Sequence, residues 1–140
     1  MGAASQRVRV VVIDNNDVCR SSCDQILSRL GFDVQTFTDG VAGLRAMTTS
    51  PPDVAIVDLR MPGLSVTEVI SEVRKHDRQV AIVVVTGYPT IGIAVEAMKA
   101  GADEFLPKPF SPDELRLAVK TSLRRRRQVE IAADAGGIPG

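Results

Sequence analysis

The sequence predicts an α/β domain, a parallel sheet with helices on both faces, and three observations carry that prediction. Apolar strand-like runs alternate five times with segments of helical period. The run Val80 to Val85 is six apolar residues, four of them Val, which suits a strand buried on both faces. The connections are short, so each helix returns the chain to start a parallel neighbour.

The elements follow in order. Val8 to Ile13 is apolar apart from Arg9 and forms the first strand. Cys19, Cys23, Ile26, Leu27 and Leu30 come next at helical spacing, and Gly31 stands where that helix should stop. Phe32 to Phe37 alternates more openly, as an edge strand would. Asp39 caps the second helix, with Val41 and Leu44 on its buried side. Val54 to Val57 is the third strand, closed by Asp58 and a turn at Met61-Pro62-Gly63. Ser65 and Glu68 make a capping box for a helix that buries Val66, Val69, Ile70 and Val73. After the fourth strand, Ile91, Ala94, Val95 and Met98 mark a helix ending at Gly101, and Ala102 to Leu106 is the fifth strand. Ser111, Pro112 and Glu114 open the last helix as cap, N1 and N3. Its inner face is Leu115, Ala118, Val119, Ser122 and Leu123. Ala132 to Gly140 is rich in small residues and is expected to be disordered.

Composition narrows the function classes. The 140 residues suit one domain with a proper core. Lys plus Arg equals Asp plus Glu at 17 each, so no global field draws the chain to nucleic acid or anionic lipid. With no Trp, one Tyr and four Phe, base-stacking platforms are scarce. No apolar stretch reaches the roughly 18 residues of a spanning helix, and the first residues lack the apolar core of a signal peptide. Cys19 and Cys23 are four apart with no His nearby, which fits reduced packing thiols in a cytoplasmic protein.

Four strand ends carry polar residues: Asp14-Asn15-Asn16, Asp58, Thr86 and Lys108. In doubly wound sheets, ligands bind outside the carboxyl ends of the strands. Taken singly, each has a plain reading: Asp58 and Asp14 as caps, Thr86 as a turn residue, Lys108 as a solvated cation. Together they gather two acids, a hydroxyl and a lysine at one edge. A Gly-rich phosphate cradle after the first strand is excluded, because acidic side chains stand there instead.

Four segments in order carry a family resemblance: Val-Val-Val-Ile-Asp14, Pro-Asp-Val-Ala-Ile-Val-Asp58-Leu-Arg-Met-Pro-Gly, Val-Val-Val-Thr86-Gly-Tyr, and Gly-Ala-Asp-Glu-Phe105-Leu-Pro-Lys108-Pro109-Phe. Their key positions are 44, 28 and 22 residues apart. The chain resembles the receiver domain of two-component response regulators. Thr-Gly-Tyr-Pro-Thr followed by Ala-Val-Glu-Ala-Met-Lys-Ala-Gly-Ala looks most like the NtrC-type branch.

The resemblance implies a flavodoxin-like (βα)5 sandwich with strand order 2-1-3-4-5. It divides the chain into an extension over 1–6, a receiver domain over 7–126, and a flexible tail or linker start over 127–140. Asp58 would accept a phosphoryl group from a sensor histidine kinase or phosphotransfer protein. Mg²⁺ would be held by Asp14, Asn15, Asp58 and the backbone carbonyl of Arg60. Lys108, after a cis Lys108–Pro109 bond, and Thr86 would contact phosphoryl oxygens. Thr86 and Phe105 would switch the face formed by helix four, strand five and helix five, controlling an output domain beyond the C-terminus or another partner. No chemistry beyond self-phosphorylation and self-dephosphorylation is implied, nor any membrane or direct nucleic-acid contact.

Departures from the family pattern sharpen the expectations. Asn15 stands where a second acid is usual, which keeps an oxygen donor but removes one charge and predicts weaker Mg²⁺ binding. The alternative is a pseudo-receiver, a protein-interaction module with a degenerate metal site at Asn15. Ser65-Val66 replaces a common Asp-Gly pair. Arg60 and Tyr88 are bulky at positions that border the path of hydrolytic water in the family, so the phosphoryl state should be long-lived. Ala118 stands where the winged-helix (OmpR-type) branch places a dimer-forming Arg. A homodimer is expected from family habit, without that signature. Arg124 to Arg127 reads as a solvated face that starts a linker.

Overall fold

The structure is a computed structural model that describes residues 7–60, 65–77 and 79–136, with side chains up to Val129. The extension over 1–6, the turn at Met61-Pro62-Gly63 and the last four residues of the expected tail lie outside the described residues.

Strands β1 (Arg9–Ile13), β2 (Asp33–Phe37), β3 (Val54–Asp58), β4 (Ala81–Thr86) and β5 (Glu104–Pro107) form one parallel sheet. Their order is β2-β1-β3-β4-β5, as expected for the flavodoxin-like class. Helices α1 (Asp17–Arg29), α2 (Gly40–Thr49), α3 (Val66–His76), α4 (Ile91–Ala100) and α5 (Pro112–Gly136) connect and flank them. The chain steps one way from β1 to β2, then returns past β1 to β3, so a switch-point crevice opens between β1 and β3.

Alternation along the strands sorts the core into two layers. Val11, Ile13, Ala55, Val57, Ile82 and Val84 pack with Met47 of α2, four side chains of α3 and Ala97 of α4. Val10, Val12, Val54, Ile56, Val83 and Val85 pack with Cys23 and Leu27 of α1 and Leu115, Ala118 and Val119 of α5. Continuing the same period to the strand ends aims Asp14, Asp58 and Lys108 toward the α1–α5 layer. Thr86 and Phe105 fall on the other side, and Phe105 packs against the α2–α4 cluster.

The helix starts follow the sequence closely. Asp39 accepts the Ala42 N–H at 2.8 Å, and Ser65 with Glu68 forms the full capping box on α3. Ser111 and Glu114 make the same reciprocal pair on α5, at 2.8 and 3.1 Å. Asn16 caps α1 and Thr90 caps α4. Gly31 and Gly101 follow α1 and α4 at φ 91° and 121°, a region that side chains other than glycine rarely adopt.

Several expected faces are turned. Val41 is exposed, and α2 buries Gly40, Gly43 and Met47 instead. A methyl group at Gly43 would overlap the Ile13 side chain, so α2 lies too close to β1 for any other face. In α4, Ile91, Val95 and Met98 are exposed and Ala97 alone is fully buried. Seven of the ten residues of α4 are apolar, a stripe too wide for periodicity to say which of them faces the core. Leu30 is the exposed C-cap of α1. The last helix continues to Gly136, past the expected end of order at Ala132; alanines at 132, 133 and 135 favour helix.

Candidate functional site

Asp14 and Asp58 are 1 % and 4 % exposed, which sets two carboxylates side by side at the C-terminal edge of the sheet. Lys108 bridges them, its Nζ 3.0 Å from Asp14 Oδ2 and 3.5 Å from Asp58 Oδ2. The Lys108–Pro109 peptide is cis. The Lys108 N–H donates to the Thr86 carbonyl at 2.7 Å, which ties the end of β5 to β4.

One local device recurs at three strand ends. Asp14 Oδ1 accepts the Asn16 N–H at 2.8 Å, and Asp58 Oδ1 accepts the Arg60 N–H at 3.2 Å. Thr86 Oγ1 accepts the Tyr88 N–H at 3.1 Å. Each side chain thus closes a turn on the amide two residues ahead, which fixes its rotamer as the chain leaves the sheet. The Arg20 guanidinium donates to the Asp14 carbonyl at 2.8 Å and holds the start of α1 against the site.

The electrostatics are unequal. Burial raises the pKa of Asp58, and the Asp14 carboxylate adds to this, against the Arg60 N–H and the Lys108 charge. Burial also opposes the charge on Asp14, but contacts with Cys19, the Asn16 N–H and Lys108 outweigh it and bring its carboxyl below the ordinary value. Lys108 is raised: its burial works against the charge, and its two acidic neighbours win. The trio is one positive charge short, and Asp58 bears the shortfall.

That shortfall is the test of whether a divalent cation fits. Two buried carboxylates at an open edge suit a hard ion that keeps several waters. Among the described residues no group of three or more His, Cys, Asp or Glu side chains is arranged to hold a metal, so the donor set stops at this pair plus neutral oxygens. Asn15 is exposed beside Asp14. Arg60 stays next to the pair through its N–H bond to Asp58.

A cleft of about 580 Å³ opens beside the site, lined by Asn16, Cys19, Ser22, Gly87, Tyr88 and Lys108 among others. Over its rim the Arg60 guanidinium lies 3.8 Å from the centre of the Tyr88 ring. Thr86 is fully buried and Phe105 half-buried. Cys19 and Cys23 are free thiols, the second fully buried.

Sequence reasoning missed a second polar cluster, at the opposite edge of the sheet. Asp103 is 4 % exposed and pairs with both Arg74 and Arg126. Arg126 is therefore half-buried and engaged, a correction to the expectation that Arg124 to Arg127 is a wholly solvated run. An acid between buried Ala102 and the fifth strand was the available signal.

Residues 10–120 match the family described as response regulator receiver domain. The chain is 36% identical over 128 residues to the response regulator MprA of Mycobacterium bovis, covering 91% of this chain and 55% of that protein. It superposes on a response regulator receiver domain protein from Clostridium thermocellum with a TM-score of 0.79 at 30% identity, covering 87% of this chain and 98% of the other. NtrX from Brucella abortus, in complex with ADP, gives a TM-score of 0.83 at 26% identity over 93% of this chain and 30% of NtrX. The chain spans about half the length of the curated relatives it matches, from 51% to 56%. Among the described residues, no helix is long and apolar enough to cross a membrane.

Proposed function

The chain belongs to the response regulator receiver domain family of two-component systems, and from that premise we propose that Asp58 is its phosphoacceptor. The observation that carries the proposal is the buried Asp14–Asp58–Lys108 trio, one positive charge short at a switch-point edge. The Asp58 carboxylate attacks the phosphorus of a phosphohistidine on a cytoplasmic kinase or phosphotransfer protein. A P–O bond forms, the P–N bond breaks, and the imidazole leaves with a proton. Lys108 sits within reach of both acids and would follow the new phosphoryl oxygens as a compact cation. Thr86, which accepts the Tyr88 N–H, keeps its own proton to donate.

Asp14, Asn15, Asp58 and the Arg60 carbonyl would hold Mg²⁺, which when bound supplies positive charge to the phosphoryl oxygens. Thr86 and Phe105 lie on the face of the sheet opposite Asp58, toward α4. A shift of the Thr86 hydroxyl toward Asp58 would free space for the Phe105 ring and alter the α4–β5–α5 face that meets an output domain, a partner or a second copy. An NtrC-type place within the family rests on the segment from Thr86 to Ala102 and on the likeness to NtrX, against a higher identity to MprA.

Tyr88 is the only tyrosine of the chain, so its fluorescence reports the site directly. Beryllofluoride with Mg²⁺ should change that signal in the wild type and leave Asp58→Asn unchanged. An equal response in Asp58→Asn would overturn the assignment. A second reading, the pseudo-receiver, is favoured by Asn15, a neutral residue next to the two buried carboxylates Asp14 and Asp58. It predicts no response in the wild type. Titrating Mg²⁺ alone into wild type and Asn15→Asp separates the readings further: the phosphoacceptor reading expects saturable binding in both, tighter in the variant.

A further inference from the structure

The cluster around Asp103 lies at the N-terminal edge of the sheet, away from the acid site, and its hydrogen bonding is unusually complete. Asp103 Oδ2 accepts Arg74 Nη2 at 2.8 Å and the Ile82 N–H at 2.9 Å. Oδ1 accepts Arg126 Nη2 at 2.8 Å, and the Asp103 carbonyl accepts Arg125 Nη1 at 2.9 Å. Two guanidiniums therefore share one buried carboxylate.

The two arginines are not equivalent. Arg74 is embedded: it also donates to the Val80 carbonyl at 2.5 Å and twice to the Gly101 carbonyl, at 3.1 and 2.8 Å. It thus joins α3 to the start of β4 and the end of α4, and its place does not depend on α5. Arg126 comes from α5 at a point where packing has run out. Leu115, Ala118, Val119 and Ser122 are buried, Leu123 is half-buried, and past Leu123 no described apolar side chain of α5 is buried. The helix nevertheless continues to Gly136.

From this geometry we infer that Asp103, Arg74 and Arg126 form a releasable joint for the C-terminal arm of α5. Arg125 and Arg126 dock the arm on Asp103. When the arm leaves, Arg74 remains and keeps the buried carboxylate paired, so undocking does not strand a charge in the core. Burial lowers the pKa of Arg74, and the neighbouring charge of Arg126 lowers it further, in keeping with two cations crowding one acid. In a longer chain, whatever follows α5 would take its direction from this joint. Release at the joint needs no phosphoryl group, so the inference stands apart from the assignment of Asp58.

Amide hydrogen exchange over residues 124–129 tests it on the unphosphorylated chain. Arg126→Gln should speed exchange in the arm about tenfold, the loss of one hydrogen-bonded charge pair, while amides of β4 and β5 keep their protection. Arg74→Gln should lower global stability but leave exchange in the arm unchanged or slower, because Arg126 then becomes the remaining partner of Asp103. Equal acceleration of the arm in both variants would overturn the joint in favour of a plain structural network. Unchanged exchange in Arg126→Gln would overturn it too, and that variant decides alone should Arg74→Gln fail to fold.

Discussion

The two edges of the sheet bury aspartates in opposite charge balance. At the C-terminal edge, Asp14 and Asp58 share the single cation Lys108. At the N-terminal edge, the single anion Asp103 is shared by Arg74 and Arg126. Asp103 is sealed by a backbone N–H and planar guanidiniums, whereas Asp58 has one backbone N–H and a lysine half an ångström farther off than the lysine is from Asp14. Asp58 is accordingly pushed up by burial and by its acidic neighbour. One edge is satisfied and holds elements together. The other is left short of positive charge, which is the balance that the proposed cation and phosphoryl group would use.

The contrast predicts that removing an aspartate has opposite signs at the two edges. Asp103→Ala leaves two guanidiniums facing each other and the Ile82 N–H without its acceptor. It should cost about 3 kcal/mol in urea unfolding, the scale for stranding one side of a buried ion pair. Asp58→Asn removes a like charge from a crowded pair and should stabilise the domain by about 1 kcal/mol at neutral pH. Because the folded pKa of Asp58 is raised, its favourable protonated form is lost as pH rises through that value. The gain from Asn should therefore vanish in acid, below the ordinary carboxylate range, where Asp58 is protonated in both states. Unfolding midpoints at the two pH values decide the matter; losses of similar size at both edges would break the contrast.

Much of the acid edge was legible in the amino-acid sequence, because strand-end position and residue type together limit what a side chain can reach. Asp14, Asp58, Thr86 and Lys108 each follow an apolar run, and a parallel sheet brings all such ends to one edge. Caps were legible for a similar reason: Asp39, Ser65 and Ser111 act on amides three residues away. The Asp103 cluster was not legible, since its partners come from α3 and α5, at 29 and 23 residues' separation, and nothing in local pattern links them. The face of α4 was also hidden. With an apolar stripe wider than one contact, what buries Ala97 rather than Ile91 is the approach of α3 and β5, a tertiary fact.

The smallest expected effect concerns cover rather than charge. Asp103 is covered by the two guanidiniums that pair with it, while the acid edge is roofed by an exposed pair, Arg60 over Tyr88 at 3.8 Å. Each member is anchored through its backbone N–H to a site residue, Arg60 to Asp58 and Tyr88 to Thr86. The stack therefore bridges the loops after β3 and β4, and if Asp58 carries a phosphoryl group as proposed, the stack would stand beside the approach of water to it. Stacks of this exposure are worth about 0.5–1 kcal/mol, so losing one should change a rate by only a few-fold. Tyr88→Ala should shorten the phosphoryl half-life by about that factor, measured as loss of label after acetyl phosphate is removed, with the unfolding midpoint nearly unchanged. Arg60→Ala should do the same, and the double variant should be no faster than either single one if the two side chains act as one roof. Additive effects would mean that each shields Asp58 separately, and an unchanged half-life would mean that the edge is protected by Lys108 and burial alone.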